Sequence, residues 1–422
     1  MTFKNKPFGN RIFRMNCRDK DRVKVLELMA EEGFSCSRLP DNKYLMSCTQ
    51  EPFALGSSLA HYFGYIYIQD ISSTLPVMLL DPKPDSIVLD MCASPGSKTG
   101  QLATVVGQRG LVVANEPNPS RLATLRANLR RLNLLNVITA GYKGQDLSLE
   151  GVLFDYVLLD VPCSGWGTLN KNPGAARVWS GEKLSSLVGL QRLLLKSAAQ
   201  LLAPGGKLVY STCTTNPSEN EEQIAWALTE LPLACLPDDS FMSGQNSFPH
   251  IAVSGPGMFR VNGSRDGGQD FFMAALTTSR LDNQSTKRYP SEPSAVGSGE
   301  YIAIDQSLRH PDGGSLWNYS GKVYFVPDKA WNLIRAGLAA KGTVAGRKTG
   351  DRFVPAPGMR SFLSEYLPEQ DLNLFDTAQI RALLSGQSLN FSTAASLAGL
   401  FWKGLALGWL KAKNGRVLWS GR

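Results

Sequence analysis

The strongest constraint on the fold is an alternation of short apolar runs with helix-like stretches between Tyr65 and Ser279. The runs are rich in Val, Ile and Leu, as in strands that are buried on both faces of a parallel sheet. The alternation predicts a doubly wound α/β domain, whose ligands bind at the carboxyl ends of the strands. The predicted strands are SIVLDMC (86–92), LVVANE (111–116), NVITA (136–140), YVLLDVP (156–162), KLVYSTC (207–213) and, at an edge, FFMAALTT (271–278), and the predicted helices are Ser120–Leu132, Lys183–Leu202 and Ser218–Leu231.

The residues on either side of this domain show other patterns. A chain of 422 residues exceeds the usual size of one hydrophobic core, so two or three domains are expected. Residues 1–64 combine one amphipathic helix near Val23–Met29 with short strand-like pieces, which predicts a small α+β module. Residues 65–280 form the α/β domain, and residues 281–299 are a Pro/Ser/Gly-rich linker. Residues 300–422 mix short strands with brief helices, which predicts an α+β domain of its own.

Positive charge is concentrated at the two ends of the chain. The formal net charge is +8 and the isoelectric point is near 9.1, which suggests an anionic partner such as a nucleic acid. No Asp or Glu follows Asp376. Both ends are suited to contact phosphate groups, although they are equally compatible with two solubilising faces. The basic residues near the N-terminus are Lys4, Lys6, Arg11, Arg14, Arg18, Lys20, Arg22 and Lys24.

Hydropathy and cysteine content exclude several classes of protein. No apolar run reaches the ~20 residues of a membrane span, and the basic N-terminus lacks the apolar segment of a secretory signal, so we expect a cytoplasmic protein. The seven cysteines are odd in number and show neither C-x-x-C nor Cys/His spacing, so we expect no disulfide framework and no metal site. The sequence leaves the oligomeric state open, with a monomer as the simplest expectation.

The segment LDMCASPGSKTGQLA (89–103) reads as a strand, a tight Pro-Gly turn and a helix that begins near Ser97. Gly96 permits a ligand to approach the backbone closely, and Lys98 supplies a donor. The next strand ends in Glu116, where a carboxylate can accept hydrogen bonds from both hydroxyls of a ribose. Because no phosphate-binding loop is present, S-adenosylmethionine fits this pattern better than NAD or ATP. The alternative is an ordinary strand-to-helix turn with a surface glutamate.

Two further cysteines follow predicted strands. Cys163 lies in LLDVPCSG (158–165) with Asp160, and Cys213 lies in STCT (211–214). Because the carboxyl ends of parallel strands share one edge of the sheet, both thiols are expected at the ligand-binding edge. Cys92 follows another such strand, and the cysteines interpreted as structural are Cys17, Cys36, Cys48 and Cys235.

Paired thiols beside a carboxyl group suit the alkylation of a carbon that is not nucleophilic by itself. Carbon 5 of cytosine becomes an enamine carbon only after a thiolate adds at carbon 6, with an acid at the ring's N3. Asp160 can supply that acid. A base within folded RNA must also be unstacked before it can be reached, so single-stranded or splayed RNA is the natural target.

Taken together, these residues resemble the motifs of the Nol/Nop/Sun (Fmu-like) family of RNA 5-methylcytosine methyltransferases. The resemblance spans about residues 14–278 and implies a Rossmann-like methyltransferase domain at residues 65–280 with S-adenosylmethionine as cofactor. The motifs that carry it are YIQDISS (67–73), CASPGSKT (92–99), LLDVPCSG (158–165), APGGKLVYSTCT (203–214) and NPSENE (216–221).

The resemblance also implies roles for individual residues. Cys213 resembles the nucleophile and Cys163 resembles the thiol that assists release of the methylated RNA. Asp160, which can supply the acid at N3, is expected to be the third catalytic residue. The residues that resemble cofactor contacts are Cys92, Ala93, Ser94, Pro95, Gly96, Ser97, Lys98, Glu116, Arg121 and Asp160.

One position departs from the family pattern. Members often carry Asp-Gly after the third strand to hold the adenine amino group, whereas this chain reads GYKGQDL (141–147), with Lys143 where the aspartate would fall. Either Asp146 takes over this contact or the backbone alone holds the adenine.

The flanking regions resemble RNA-contacting parts of the same enzymes. Residues 1–64 resemble the small N-terminal RNA-contacting domain, and residues 300–422, with FWKGLALGWLKAKNGRVLWSG (401–421), are similar to the PUA-like RNA-binding extension of the bacterial ribosomal RNA type. This second similarity favours 16S ribosomal RNA as substrate over transfer RNA. An RNA-binding ribosome-assembly factor with an inert methyltransferase domain is the alternative from another class, which retention of both cysteines, Asp160 and the CASPGSK turn argues against.

Overall fold

The computed structural model describes residues 11–39, 44–149, 151–168, 181–237, 241, 250–263, 268–278, 299–304, 308–367 and 369–421. The predicted linker, apart from its last residue Gly299, lies outside these ranges, as do Lys4 and Lys6. Within them, no helix is both long enough and apolar enough to cross a bilayer.

The N-terminal residues form a four-stranded antiparallel sheet in the order β2-β3-β1-β4. Its last strand lies just past the predicted boundary after residue 64. The predicted amphipathic helix is α1, which buries Val25, Leu28 and Met29. The elements are β1 (Arg11–Met15), α1 (Arg22–Glu31), β2 (Ser35–Arg38), β3 (Leu45–Gln50), α2 (Leu59–Tyr62) and β4 (Ile66–Ile68).

A ten-stranded sheet forms the centre of the molecule. Its strands within residues 65–280 are β5 (Ile87–Asp90), β6 (Leu111–Asn115), β7 (Val137–Ala140), β8 (Phe154–Asp160), β9 (Leu202–Thr212), β10 (Leu233–Cys235), β11 (Ile251–Gly255), β12 (Met258–Asn262) and β13 (Asp270–Thr278). The helices that accompany them are α3 (Leu75–Leu80), α4 (Ser97–Val106), α5 (Pro119–Arg131), α6 (Glu182–Leu201) and α7 (Glu221–Glu230).

Five strands of this sheet run parallel in the order β9-β8-β5-β6-β7. Successive residues of one strand enter different cores: Leu89 joins the core on one face, and Val88 joins the core on the other. Burial on both faces explains the continuous apolar runs. The predicted doubly wound α/β class is confirmed.

The prediction that FFMAALTT forms an edge strand is wrong. These residues belong to β13, which lies between β9 and β12 and also pairs with β10. The hairpin of β11 and β12 covers the expected edge. β11 reads IAVSG and is mostly exposed, so its apolar run is only three residues long and is followed at once by the turn-forming Ser254 and Gly255.

The C-terminal residues form two five-stranded sheets, in the orders β14-β15-β16-β18-β19 and β20-β22-β23-β24-β21. The strands are β14 (Glu300–Ile302), β15 (Gly314–Tyr319), β16 (Lys322–Pro327), β17 (Ala340–Lys341), β18 (Thr343–Thr349), β19 (Arg352–Pro355), β20 (Leu372–Leu374), β21 (Ser388–Asn390), β22 (Leu397–Trp402), β23 (Leu405–Lys413) and β24 (Arg416–Trp419). The helices are α8 (Ala330–Arg335) and α9 (Thr377–Leu384).

These C-terminal sheets share cores with the rest of the chain. β17 pairs with β7 and so extends the central sheet. Trp331 joins the core on one face of that sheet, and Trp402 belongs to one core with Phe13 and Leu28 of the N-terminal sheet. The predicted domain boundaries therefore separate stretches of sequence that are buried together in the folded chain.

Candidate active site

The predicted cofactor turn follows β5 and leads into α4. Gly96 is the residue before the helix and has φ 105°, a conformation that glycine adopts without steric cost. A Cβ at this position would also lie 3.0 Å from the Leu125 side chain. The Ser97 hydroxyl donates to Gln69 Oε1 at 2.9 Å, which ties the start of α4 to the YIQDISS segment. The helix N-terminus and its free N–H groups therefore face the carboxyl edge of the sheet.

Glu116 directly follows β6 and is only 2% exposed. Its carboxylate accepts a hydrogen bond from the Asn118 backbone N–H at 2.9 Å and lies 3.4 Å from an Arg121 guanidinium nitrogen. Arg121 in turn donates to the Ser94 carbonyl at 3.1 Å. The structure thus brings Glu116 and Arg121 to the 92–98 turn, as the sequence pattern requires.

Asp160 ends β8 and lies between two donors. Lys98 Nζ is 2.7 Å from its Oδ2, and the Ser211 hydroxyl donates to its Oδ1 at 2.7 Å. Burial opposes the charge of Lys98, but the adjacent Asp160 carboxylate outweighs it, so the pKa of Lys98 lies above its ordinary value. The turn after β5 and the ends of β8 and β9 are therefore joined by one charged pair.

The two candidate catalytic thiols meet at this edge. Cys163 Sγ and Cys213 Sγ are 3.2 Å apart, and both cysteines are free. The hydrogen bond from Cys163 lowers the pKa of Cys213 and outweighs burial, and the Lys98 ammonium acts in the same direction. The same hydrogen bond, together with burial, raises the pKa of Cys163. Of the two thiols, Cys213 is therefore the one whose ionisation this contact favours.

The third thiol at this edge is not activated. Burial and the neighbouring carboxylates, Asp90 first among them, raise the pKa of Cys92.

Asp146 is exposed at the end of a single 3-10 turn, Gly144–Asp146, and Lys143, just before this turn, is also exposed. The contact between Asp146 and the adenine of the cofactor stays a prediction.

Asp90 is a site residue that the sequence analysis missed. It is 1% exposed, and its Oδ2 accepts from the Thr99 hydroxyl at 2.6 Å, while its Oδ1 has no hydrogen-bond partner within the described part of the chain. Burial raises the pKa of Asp90 to about 7, and the nearby Asp160 adds to this effect. Its position at the end of β5, directly before the cofactor turn, was the available signal.

Comparisons with known proteins give methyltransferases as relatives of this chain. Residues 77–277 match the family described as 16S rRNA methyltransferase RsmB/F. The chain is 38% identical over 255 residues to the ribosomal RNA small subunit methyltransferase F of Salmonella heidelberg (strain SL476), an alignment that covers 57% of this chain and 53% of the relative. The chain therefore spans about half the length of the curated relatives it matches.

Solved structures show the same relationship. A methyltransferase homolog from Pyrococcus horikoshii is 34% identical, with a TM-score of 0.54 over 64% of this chain and 86% of that chain. The structure of NSun6 from Pyrococcus horikoshii with SFG has a TM-score of 0.56, covers 65% of this chain and 92% of that chain, and at 20% identity shows the shared fold. By its 34% identity to a methyltransferase homolog of which it covers 86%, the protein belongs to the Sun/Fmu-like methyltransferase family, and its residues 77–277 match the RsmB/F family model.

Proposed function

We propose that this protein is an S-adenosylmethionine-dependent RNA cytosine-C5 methyltransferase that acts on 16S ribosomal RNA. The observation that carries the proposal is the 3.2 Å approach of Cys163 Sγ to Cys213 Sγ. The pair lies beside the Lys98–Asp160 ion pair, at the edge where a doubly wound sheet binds its ligands.

The first half of the reaction uses the thiolate. Cys213 Sγ adds to carbon 6 of the cytosine, and the electron pair that this addition releases makes carbon 5 nucleophilic. In this mechanism Asp160 contacts N3, and the proton that N3 receives comes from Lys98 through its 2.7 Å hydrogen bond to Asp160. Carbon 5 then takes the methyl group.

The second half uses the other thiol. Once Cys213 Sγ is bonded to carbon 6, Cys163 no longer donates to a thiolate, so the largest of the effects that raise its pKa is lost and burial remains. Cys163 can then ionise and accept the proton from carbon 5. The electrons of that C–H bond re-form the ring double bond, and the bond between Cys213 Sγ and carbon 6 breaks. The proton that Cys163 lost on ionising goes to solvent, and the proton from carbon 5 restores its thiol. N3 gives its proton back through Asp160 to Lys98, so every group is left in its starting state.

The residues around the 92–98 turn fit S-adenosylmethionine, which supplies the methyl group when bound. Glu116 offers a buried carboxylate to ribose hydroxyls, and the N-terminus of α4 offers backbone donors. Gly96 keeps the turn free of a side chain. The other proposed contacts are Cys92, Ala93, Ser94, Pro95, Ser97, Lys98, Arg121 and Asp160.

The choice of ribosomal RNA rests on the relatives described as ribosomal RNA small subunit methyltransferase F. Exposed basic residues on the β23–β24 hairpin, namely Lys411, Lys413 and Arg416, offer contacts to RNA phosphates. We further propose that the protein is a cytoplasmic monomer, that residues 300–422 form a PUA-like RNA-binding domain, and that residues 1–64 form an RNA-contacting module.

Bisulfite sequencing of total RNA from cells with and without the gene tests both activity and substrate. We expect one or more 16S cytosines to lose protection when the gene is absent and to regain it with the wild-type gene but not with Cys213→Ala. Loss of protection only in transfer RNA would support the transfer RNA alternative. RNA binding without any change in cytosine modification would instead support the assembly-factor alternative.

A further inference from the structure

One motif residue has a buried network that the proposed reaction does not use. Glu219, in the NPSENE segment, ends a 3-10 turn (Pro217–Glu219) and is 0% exposed. Its Oε2 accepts from Ser164 N at 2.9 Å and from Gln191 Nε2 at 3.1 Å. Its Oε1 accepts from Ser164 Oγ at 2.5 Å and from Asn216 Nδ2 at 3.2 Å. No cation is among these four donors.

The donors to Glu219 contact the two loops that carry Cys163 and Cys213. Ser164 follows Cys163, and its hydroxyl lies 2.8 Å from Thr214 Oγ1. Thr214 follows Cys213. Gln191 of α6 donates through the same amide to the Pro162 carbonyl at 2.9 Å. A single carboxylate therefore connects the residues on both sides of Cys163 with the residue after Cys213.

Only a carboxylate can accept from all four donors, because each of its oxygens has two lone pairs and carries no hydrogen. A glutamine in the same position has the same shape but replaces one oxygen with an N–H donor. That donor would point at two other donors, so at least two of the four hydrogen bonds would be lost.

The structure assigns Glu219 as a positioning residue that holds the Cys163 loop against the Cys213 loop and so sets the contact between the two sulfurs. The assignment rests on the proposed function, because that contact matters only if the two thiols act in turn. Loosening the Cys163 loop lengthens the distance between the sulfurs, and the thiolate of Cys213 then loses its strongest hydrogen bond.

Glu219→Gln tests the assignment, with Glu222→Gln as the matched control, since Glu222 is an exposed glutamate on the adjoining helix α7. The first measurement is the rate of iodoacetamide alkylation of Cys213 against pH, read by mass spectrometry of its peptide. We expect the pH at which the alkylation rate of Cys213 rises to be higher in Glu219→Gln than in the wild-type protein, and to be unchanged in the control. In methylation assays kcat should fall roughly tenfold or more, with KM for S-adenosylmethionine within about twofold of the wild-type value.

Ser164→Ala serves as a second variant if Glu219→Gln melts early or binds the cofactor poorly. It removes one hydroxyl from the network and should shift the alkylation profile in the same direction by a smaller amount. Alkylation profiles of Glu219→Gln and Ser164→Ala that both superimpose on the control would overturn the assignment. A wild-type protein that methylates no cytosine would contradict the proposed function instead. The alkylation profiles would still show whether Glu219 controls the reactivity of Cys213.

Discussion

Lys98 Nζ lies 2.7 Å from Asp160 Oδ2, and the charge of the same ammonium also favours the thiolate of Cys213. One cation from the cofactor turn therefore serves two groups at the ends of neighbouring strands. Both effects depend on the exclusion of water, because Lys98 is buried and charges interact more strongly away from solvent. The pH dependence of the reaction follows from this arrangement.

Replacing Lys98 with Met should lower kcat/KM, because the proton source for N3 is lost, and should move the pH profile of the remaining activity to higher pH. The pKa of Cys213 lies below its ordinary value of 9.0, so wild-type activity should rise as pH rises through that lowered pKa and then level off. Removing the ammonium withdraws support from the thiolate, and a higher pH is then needed to ionise Cys213. Lys196→Met, at an exposed position on α6, is the control. A profile for Lys98→Met identical to that of the control would contradict this role.

The same lysine makes the stability of the protein depend on alkaline pH. The folded pKa of Lys98 is raised above 10.5, so the ion pair contributes fully below about 10.5 and its contribution is lost as pH rises through the folded pKa. Urea denaturation from pH 9 to pH 11.5 should therefore show a steeper loss of stability in the wild-type protein than in Lys98→Met. If the free energy of unfolding fell equally steeply with pH in both proteins, Asp160 would not stabilise the charged form of Lys98.

The two thiols should give opposite phenotypes when each is removed. Cys213→Ala should abolish methylation and any covalent protein–RNA species. Cys163→Ala should methylate once and then retain the RNA, because the proton on carbon 5 has no acceptor. A slow-migrating band on a denaturing gel that requires S-adenosylmethionine and Cys213 would show this. A band that persists in Cys213→Ala and vanishes in Cys163→Ala would mean that the roles are reversed.

Glu116→Ala should weaken S-adenosylmethionine binding at least tenfold, because hydrogen bonds to a charged group contribute about 1.5–3 kcal/mol. Arg121→Ala should have a smaller effect, since the Arg121 side chain is largely exposed and shares its interactions between Glu116 and the Ser94 carbonyl. Isothermal titration calorimetry of both folded variants gives the comparison. Unchanged affinity in Glu116→Ala would remove this residue from the site.

Trp402→Ala should destabilise the N-terminal sheet as well as the C-terminal one. Trp402 is fully buried in the core that also contains Phe13 and Leu28, and truncation of a buried tryptophan costs about 3–5 kcal/mol. Hydrogen exchange should show lower protection of the amides in β1 and α1. Leu418→Ala, at a 40% exposed position, is the control. Unchanged protection in β1 would mean that the two sheets are stabilised independently.

Much of the central domain follows from local patterns. The five parallel strands were recognisable because burial on both faces demands continuous apolar runs, and the turn at Gly96 because few other residues adopt its backbone conformation. The edge position of Cys163 and Cys213 followed from the rule that ligand sites form where parallel strands end. The exposed strand β11 was missed because its apolar run is only three residues long and leads directly into a Ser-Gly turn.

The sequence by itself determined the α/β class, the strands of the parallel sheet and the identity of the groups at its carboxyl edge, since each depends on neighbouring residues. Tertiary structure alone decided the 3.2 Å contact between Cys163 and Cys213, which are 50 residues apart in the chain. It also decided the pairing of Lys98 with Asp160, the burial of Asp90 and Glu219, and the core that joins the two ends of the chain. These features depend on which distant segments exclude water together, and local hydropathy contains no information about that choice of partners.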